Sequence, residues 1–185
     1  ITLREGRGGG SRVSSATING PATDSDITAA EFAMQDMGQE RLFMVRDGED
    51  LLDAQLQKRG YLVKDPVNLW ACPVSLLTNV KIPRVTTFCI WEPLAIQREI
   101  WADGGIGPSR IAVMERVEGL KTTILSRKDD KPAGTGFCAI HDGIAMVHAL
   151  EVLPHQRRKG MGVWMMRQAA IWAQKNGAET LALMC

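Results

Sequence analysis

At 185 residues and 20.3 kDa, with 45% hydrophobic residues, the chain can bury one sizeable core or two small ones without disulfides or a structural metal. Its 22 Lys and Arg balance 21 Asp and Glu, which excludes a surface built throughout for nucleic acid or an anionic membrane and makes any anion site local. Cys72, Cys89, Cys138 and Cys185 form no CxxC pair and have no nearby pair of histidines, so neither a disulfide framework nor a metal site is expected, and reduced thiols in a cytoplasm fit best.

In chain order, GRGGGSR (6–12) precedes a predicted strand rather than opening a helix, and reads as a flexible turn. The N-terminal segment carries glycines and charges where a signal peptide needs an apolar core, and the missing initiator Met suggests that residues precede Ile1. No apolar span is long enough for a membrane. RVSSATI (12–18) predicts a strand running into the turn signal Asn19-Gly20-Pro21. DSDITAAEFAMQDMGQ predicts a helix capped by Asp24, Ser25 or Asp26 and stopped at Gly38. RLFMV (41–45) reads as a short buried strand, and GEDLLDAQLQKRGY as an amphipathic helix with Leu51, Leu52, Ala54 and Leu56 inward. YLVKDPVNLWACPV returns to extended structure. The proline-spotted NVKIPRV (79–85) breaks both periodicities and sets the domain boundary, giving domains 1–82 and 83–185.

Beyond that boundary, TTFCIW predicts a strand, and EPLAIQREIWADGG a helix with Pro93 in its first turn and Gly104-Gly105 closing it. LKTTILSR (120–127), AGTGFCAIH (133–141) and GIAMVHALEVLP follow as strands, joined by KDDKP and by Asp142-Gly143, both hairpin chemistries. MGVWMMRQAAIWAQKNG is a helix ending on Asn176-Gly177, and ETLALMC is one more apolar strand. A strand-helix-strand crossover is right-handed and joins parallel strands. The expected fold class is therefore α/β (α+β): a mixed sheet made of an antiparallel meander plus a parallel βαβ unit, with helices on both faces.

The last crossover carries the chemistry. Between Pro154 and the helix lies HQRRKGMG, where Gly160 and Gly162 let the backbone turn tightly and a ligand approach the main chain. The first helical turn leaves N–H donors unpaired, its dipole adds partial positive charge, and Arg157, Arg158 and Lys159 add formal charge. Such a loop suits a diphosphate. The same residues also suit a solvated basic turn. Gly-Lys-(Ser or Thr) is absent, which makes a nucleotide triphosphatase the weaker reading.

LEVLPHQRRKGMG resembles the acyl-CoA motif of the GNAT superfamily of N-acetyltransferases, (Arg or Gln)-x-x-Gly-x-(Gly or Ala) after a strand ending in Val-x-Pro. Arg157-Arg158-Lys159-Gly160-Met161-Gly162 matches in full, and Val152-Leu153-Pro154 stands upstream in place. The resemblance implies that the backbone from Arg157 to Gly162 binds the pyrophosphate of acetyl-CoA, used as co-substrate without a metal, and that Val152 and Leu153 pair with its pantetheine arm. It implies an N-acetyltransferase that moves an acetyl group directly to a primary amine. The acceptor would be a small molecule or a peptide, with no nucleic acid and no membrane as partner, a cytoplasmic location, and a homodimer left open. A non-catalytic acyl-CoA sensor or interaction module is the alternative.

For a base, His148 is the first candidate, four residues before Val152 where members of the family often carry Glu or His; strict alternation puts it on one face with Leu150 and Val152. A half-buried strand histidine with a backbone partner is the plainer reading. Glu151, on the opposite face by the same alternation, is the second candidate, or else a solvated edge residue. His141 reads as a turn residue. The family's usual acid, a Tyr in a later helix, has no counterpart before Cys185, and the only Tyr is Tyr61; a helix and further strands are expected past Cys185. Trp91, Trp101, Glu92 and Glu99 could line the acceptor side. The N-terminal half runs strand, loop, helix, strand, helix, and its Gly60-Tyr61 resembles a closing element of the family. Its loop NGPATDSD has aspartates and no basic residue, so it reads as a degenerate, cofactor-free repeat in tandem with the active one, or as chance likeness of two βαβ units.

Overall fold

The computed structural model describes residues 1–185, which form two compact units, Ile1–Pro66 with Pro108–Val113, and Val67–Gly107 with Met114–Cys185. The first unit holds α1 (Ser11–Ser14), β1 (Ala16–Thr17), α2 (Asp24–Asp36), β2 (Phe43–Met44) and α3 (Asp50–Lys58). β1 and β2 pair in parallel with α2 between them. Ile27, Ala30 and Met34, spaced along one face of α2, are buried with Ala16, Leu52 and Leu56. The strand expected over 12–18 is reduced to Ala16–Thr17, because residues 11–14 make one helical turn that Ser14 closes by donating its hydroxyl to the Gly10 carbonyl at 2.9 Å. Thr23, rather than Asp24, Ser25 or Asp26, caps α2. Leu51 is 85% exposed and Ala54 is also exposed: the stripe that faces inward is Leu52 and Leu56, one turn apart. Pro108–Val113 belongs to this unit, with Arg110 donating to the Gly9 carbonyl at 2.7 Å.

The second unit contains β3 (Leu69–Pro73), α4 (Ser75–Thr78), β4 (Thr87–Ile90), α5 (Ala95–Asp103), the end of α6 (Pro108–Arg116), β5 (Lys121–Lys128), β6 (Lys131–His141), β7 (Ile144–Val152), α7 (Met161–Lys175) and β8 (Thr180–Met184). Its six-stranded sheet has the order β3-β8-β7-β6-β5-β4, with β7 and β8 parallel and all other neighbours antiparallel. The compact units divide at Pro66 rather than after residue 82, because β3 pairs antiparallel with β8 from Leu69↔Met184 to Pro73↔Thr180. Local prolines mark loops; they carry no signal for a partner more than a hundred residues away.

The meander forms as the turn chemistry requires. Asp129 and Asp130 have φ of 51° and 58°, and Asp142 and Gly143 have 46° and 75°, the paired positive values of tight hairpins. Pro93 lies just before the α5 cap, Leu94, instead of inside the first turn. α6 was not expected from the sequence; Pro108 sits in its first turn, and Ile111 and Met114 are buried.

α7 covers one face of the sheet. Met161, Met165, Ala169 and Ala173, each four residues apart, are buried with Ala170, and the alanines let the helix lie close to Ile124, Cys138, Ala145 and Val147. α5 covers the other face, where fully buried Gln97 donates to Thr135 Oγ1 at 3.1 Å and accepts from Thr123 Oγ1 at 3.2 Å. Gly134 of β6 is hemmed in by β7 and α7: a β-carbon there would collide with the Glu151 carbonyl and stand 3.2 Å from Met165 Sδ. Gly134→Ala is expected to destabilise the protein by about 2–3 kcal/mol, read as a lower urea midpoint at unchanged m.

Candidate active site

β7 does not alternate strictly. Thr135 pairs with Glu151 and Phe137 with His148, so two residues of β7, Ala149 and Leu150, stand opposite the single Gly136. Ala149 has φ 50°, left-handed backbone that an L-residue with a β-carbon seldom adopts. This is a β-bulge, and it reverses the facing of everything after it. Ala145 and Val147 pack into the α7 core, and past the bulge Leu150 and Val152 pack there too. His148 and Glu151 therefore share the α5 face. The expectation that His148 lies with Leu150 and Val152, opposite Glu151, is corrected by that one inserted residue.

The bulge also marks where β7 leaves β8. Their parallel ladder runs only from Ile144↔Thr180 to Val147↔Leu183, so from His148 to Val152 the strand has β6 alone as a neighbour. The splayed end leads through a 3-10 turn, Pro154–Gln156, into the basic loop and α7. Gly160 occupies the cap position with φ 81°, and no side chain caps the helix. A β-carbon on Gly162 would meet nothing within 4 Å, so the first turn has open space beside Gly162, and its N–H groups have no intrahelical partner. Arg157 folds back along the splay: its Nε donates to the Val152 carbonyl at 3.0 Å, and its guanidinium lies 3.8 Å from Glu151. Lys159 donates to Gln156 Oε1 at 3.3 Å, and Arg158 is exposed. All the residues read from the sequence as cofactor-binding, Val152, Leu153, Arg157, Arg158, Lys159, Gly160, Met161 and Gly162, thus lie on one continuous turn from strand to helix. Met161 is buried, its side chain being core, and Val152, Leu153 and Gly162 are half-buried.

On the α5 face a cavity of about 460 Å³ is lined by Trp91, Glu92, Glu115 and Lys121. Trp91 stands edge-on to Phe137 at 6.0 Å between ring centres, and Phe137 is the register partner of His148. Lys121 Nζ donates to the Glu115 and Val117 carbonyls, both at 2.6 Å, and lies 4.7 Å from the Trp91 ring centre. Of the four expected acceptor-side residues, Trp91 and Glu92 line this cavity. Trp101 is fully buried, its indole N–H donating to the Ala149 carbonyl at 2.7 Å, and Glu99 is exposed on α5. Glu115 and Lys121 escaped the sequence reading because no local pattern ties residue 91 to residue 121. His141, expected as a turn residue, is instead the last residue of β6, paired with Ile144 just before the turn at Asp142 and Gly143. Burial pushes the Cys138 thiol up to about 12 and raises that of Cys89 as well, so neither is a ready nucleophile.

A sheet that splays after a bulge, followed by an uncapped helix with a basic glycine loop, defines a fold for acyl-CoA-dependent acyl transfer. Residues 92–185, just over half of the chain, match the acetyltransferase (GNAT) family, and the chain belongs to that family. Among solved structures it is similar to a GCN5-related N-acetyltransferase from Kribbella flavida, with 19% identity, 94% of this chain and 72% of that one covered, and a TM-score of 0.65. It is also similar to a GCN5-related N-acetyltransferase from Sphaerobacter thermophilus, with 11% identity, coverage of 87% and 57%, and a TM-score of 0.58. A conserved protein of unknown function from Staphylococcus epidermidis shares the fold at 10% identity, covering 100% of this chain and 79% of that one, with a TM-score of 0.60. At such identities the likeness is one of fold. No curated protein matches the chain.

Proposed function

We propose that this chain is an acetyl-CoA-dependent N-acetyltransferase that passes the acetyl group directly to a primary amine, with His148 as general base. The observation that carries this reading is the bulge at Ala149 and Leu150, which puts His148 and Glu151 on one face beside the splayed strand end. The first-turn N–H groups of α7 and the basic loop from Arg157 to Gly162 would hold the pyrophosphate, and Val152 and Leu153 the pantetheine arm. Backbone N–H groups of the splayed end, near Val152, are assigned as donors to the thioester oxygen. The amine nitrogen attacks the thioester carbon; a C–N bond forms as the C–S bond breaks, the amine proton passes to the His148 imidazole, and coenzyme A leaves as the thiolate. Glu151 is the second candidate base, but its carboxylate is 3.8 Å from Arg157, which favours a role in holding the loop. The raised Cys89 and Cys138 thiols favour direct transfer over an acyl-cysteine route.

The acceptor would enter over Trp91 and Glu92, and a small-molecule or peptide amine fits a cavity of this size. We assign the protein to the cytoplasm on its four free thiols; no helix is long and apolar enough to cross a membrane. The first unit is read as a degenerate repeat without a cofactor. Its α2 is closed by a reciprocal capping box, in which Asp26 accepts from the Thr23 N–H at 2.8 Å, and hydrogen bonds from Thr23 lower the Asp26 pKa, so an anionic side chain already occupies the place where α7 is open.

Acetyl-CoA at about 100-fold over its Kd is expected to raise Tm by roughly 5–10 °C, and free thiol should be released from it in the presence of at least one amine of a panel. Stabilisation without release from any amine would favour the sensor reading. Absence of stabilisation would sink the cofactor assignment itself.

A further inference from the structure

We propose that Trp101 is a positioning residue for acetyl transfer: by holding the Ala149 carbonyl, its indole N–H fixes the bulge that brings His148 and Glu151 onto one face. The proposal rests on the functional reading above. Trp101 is fully buried, and its only polar atom donates to the Ala149 carbonyl at 2.7 Å. That carbonyl belongs to the one left-handed residue in the interior of β7, at φ 50°. An alanine there is held against its own backbone preference, so the surrounding structure has to keep it in place. Without the bulge the strand would resume strict alternation, and His148 and Glu151, three positions apart in the sequence, would fall on opposite faces. The shared face of His148 and Glu151 thus depends on what restrains Ala149.

The tryptophan is itself placed by a second anchor. Gln97, one helical turn earlier on α5, is fully buried and bonded to Thr123 and Thr135, and its Oε1 also accepts the Leu94 N–H at 3.0 Å. These bonds hold α5 on β5 and β6 independently of Trp101. At the far end of α5, Gly104 lies against the other arm of the bulge: a β-carbon there would stand 2.8 Å from Glu151 Cδ. Filling the core needs only an apolar ring. Aiming a donor at Ala149 needs the indole nitrogen.

The test is Trp101→Phe, which keeps a ring and removes the N–H. kcat is expected to fall by about 10-fold or more with the KM for acetyl-CoA within about two-fold, and amide exchange over residues 147–152 to quicken while residues 121–128 stay as in wild type. Unchanged kcat together with unchanged exchange would overturn the proposal. If phenylalanine compromises folding, 3-benzothienylalanine at position 101, which puts sulfur in place of N–H within the same ring outline, is read by the same criteria. Wild-type turnover is measured in parallel. If the wild type turns over no amine, the functional reading fails, and exchange alone decides whether Trp101 holds the bulge: quickened exchange over 147–152 upholds it, unchanged exchange refutes it.

Discussion

Gly162→Asp is expected to weaken acetyl-CoA binding by about 100-fold or more while leaving the fold at least as stable as wild type. The two halves of this expectation have separate causes. Gly162 lies in the first turn of α7, a β-carbon there meets nothing within 4 Å, and its φ is not positive, so aspartate fits without a clash. A carboxylate in the first turn of a helix is favourable by roughly 0.3–1 kcal/mol, and replacing a helical glycine adds a similar gain. The same carboxylate would accept the N–H groups proposed to hold the pyrophosphate and would repel it, a combined loss on the order of 3 kcal/mol, or about 100-fold. α2 offers the natural counterpart, with Asp26 already bonded at its own N-terminus. Calorimetric titration with acetyl-CoA and a thermal melt of the same sample separate the two effects. Gly162→Ala, which adds bulk without charge, should bind within about 10-fold of wild type. Affinity for Gly162→Asp within about three-fold of wild type would remove the pyrophosphate from this helix.

The strand-to-helix loop proposed to hold the pyrophosphate was legible as a loop because its signals are local and agree: a glycine pair, basic residues and a helix start occupy eight consecutive positions, and the meander before it is written in Asp129-Asp130 and Asp142-Gly143. What was not legible depends on distance along the chain. β3 joins β8 across residues 69–73 and 180–184, so the unit boundary could not be placed from prolines near residue 82. Lys121 meets Trp91 only because β4 and β5 pair. The bulge is the sharpest case. No glycine or asparagine announces a left-handed residue at Ala149, and the one trace of the bulge is the adjacent apolar pair Ala149-Leu150 between His148 and Glu151, which breaks the alternation. The restraint on that residue comes from Trp101, forty-eight positions earlier. One unannounced residue was enough to exchange the faces of His148 and Glu151, the pair on which the chemistry is proposed to rest.

With both side chains on one face, the assignment of the base becomes an experimental contrast. His148→Ala is expected to lower kcat by about 10²–10³-fold with acetyl-CoA affinity unchanged, since His148 stands at the start of the splayed stretch, upstream of the loop from Arg157 to Gly162. A base must be unprotonated to accept the amine proton, so wild-type kcat should fall toward low pH. In His148→Ala that limb should give way to one that follows the fraction of free amine and therefore lies at higher pH. Glu151→Gln is expected to behave in the opposite way. The carboxylate lies 3.8 Å from Arg157, whose Nε holds the Val152 carbonyl at 3.0 Å, so neutralising it should loosen the cofactor loop and raise the KM for acetyl-CoA several-fold, with kcat reduced less than about 10-fold. If instead Glu151→Gln removes kcat and the acid limb while His148→Ala keeps both, the roles are exchanged: the carboxylate is the base and the histidine a strand residue bonded in place. Acetyl-CoA affinity measured without acceptor keeps the two outcomes apart, because only a loop defect changes it.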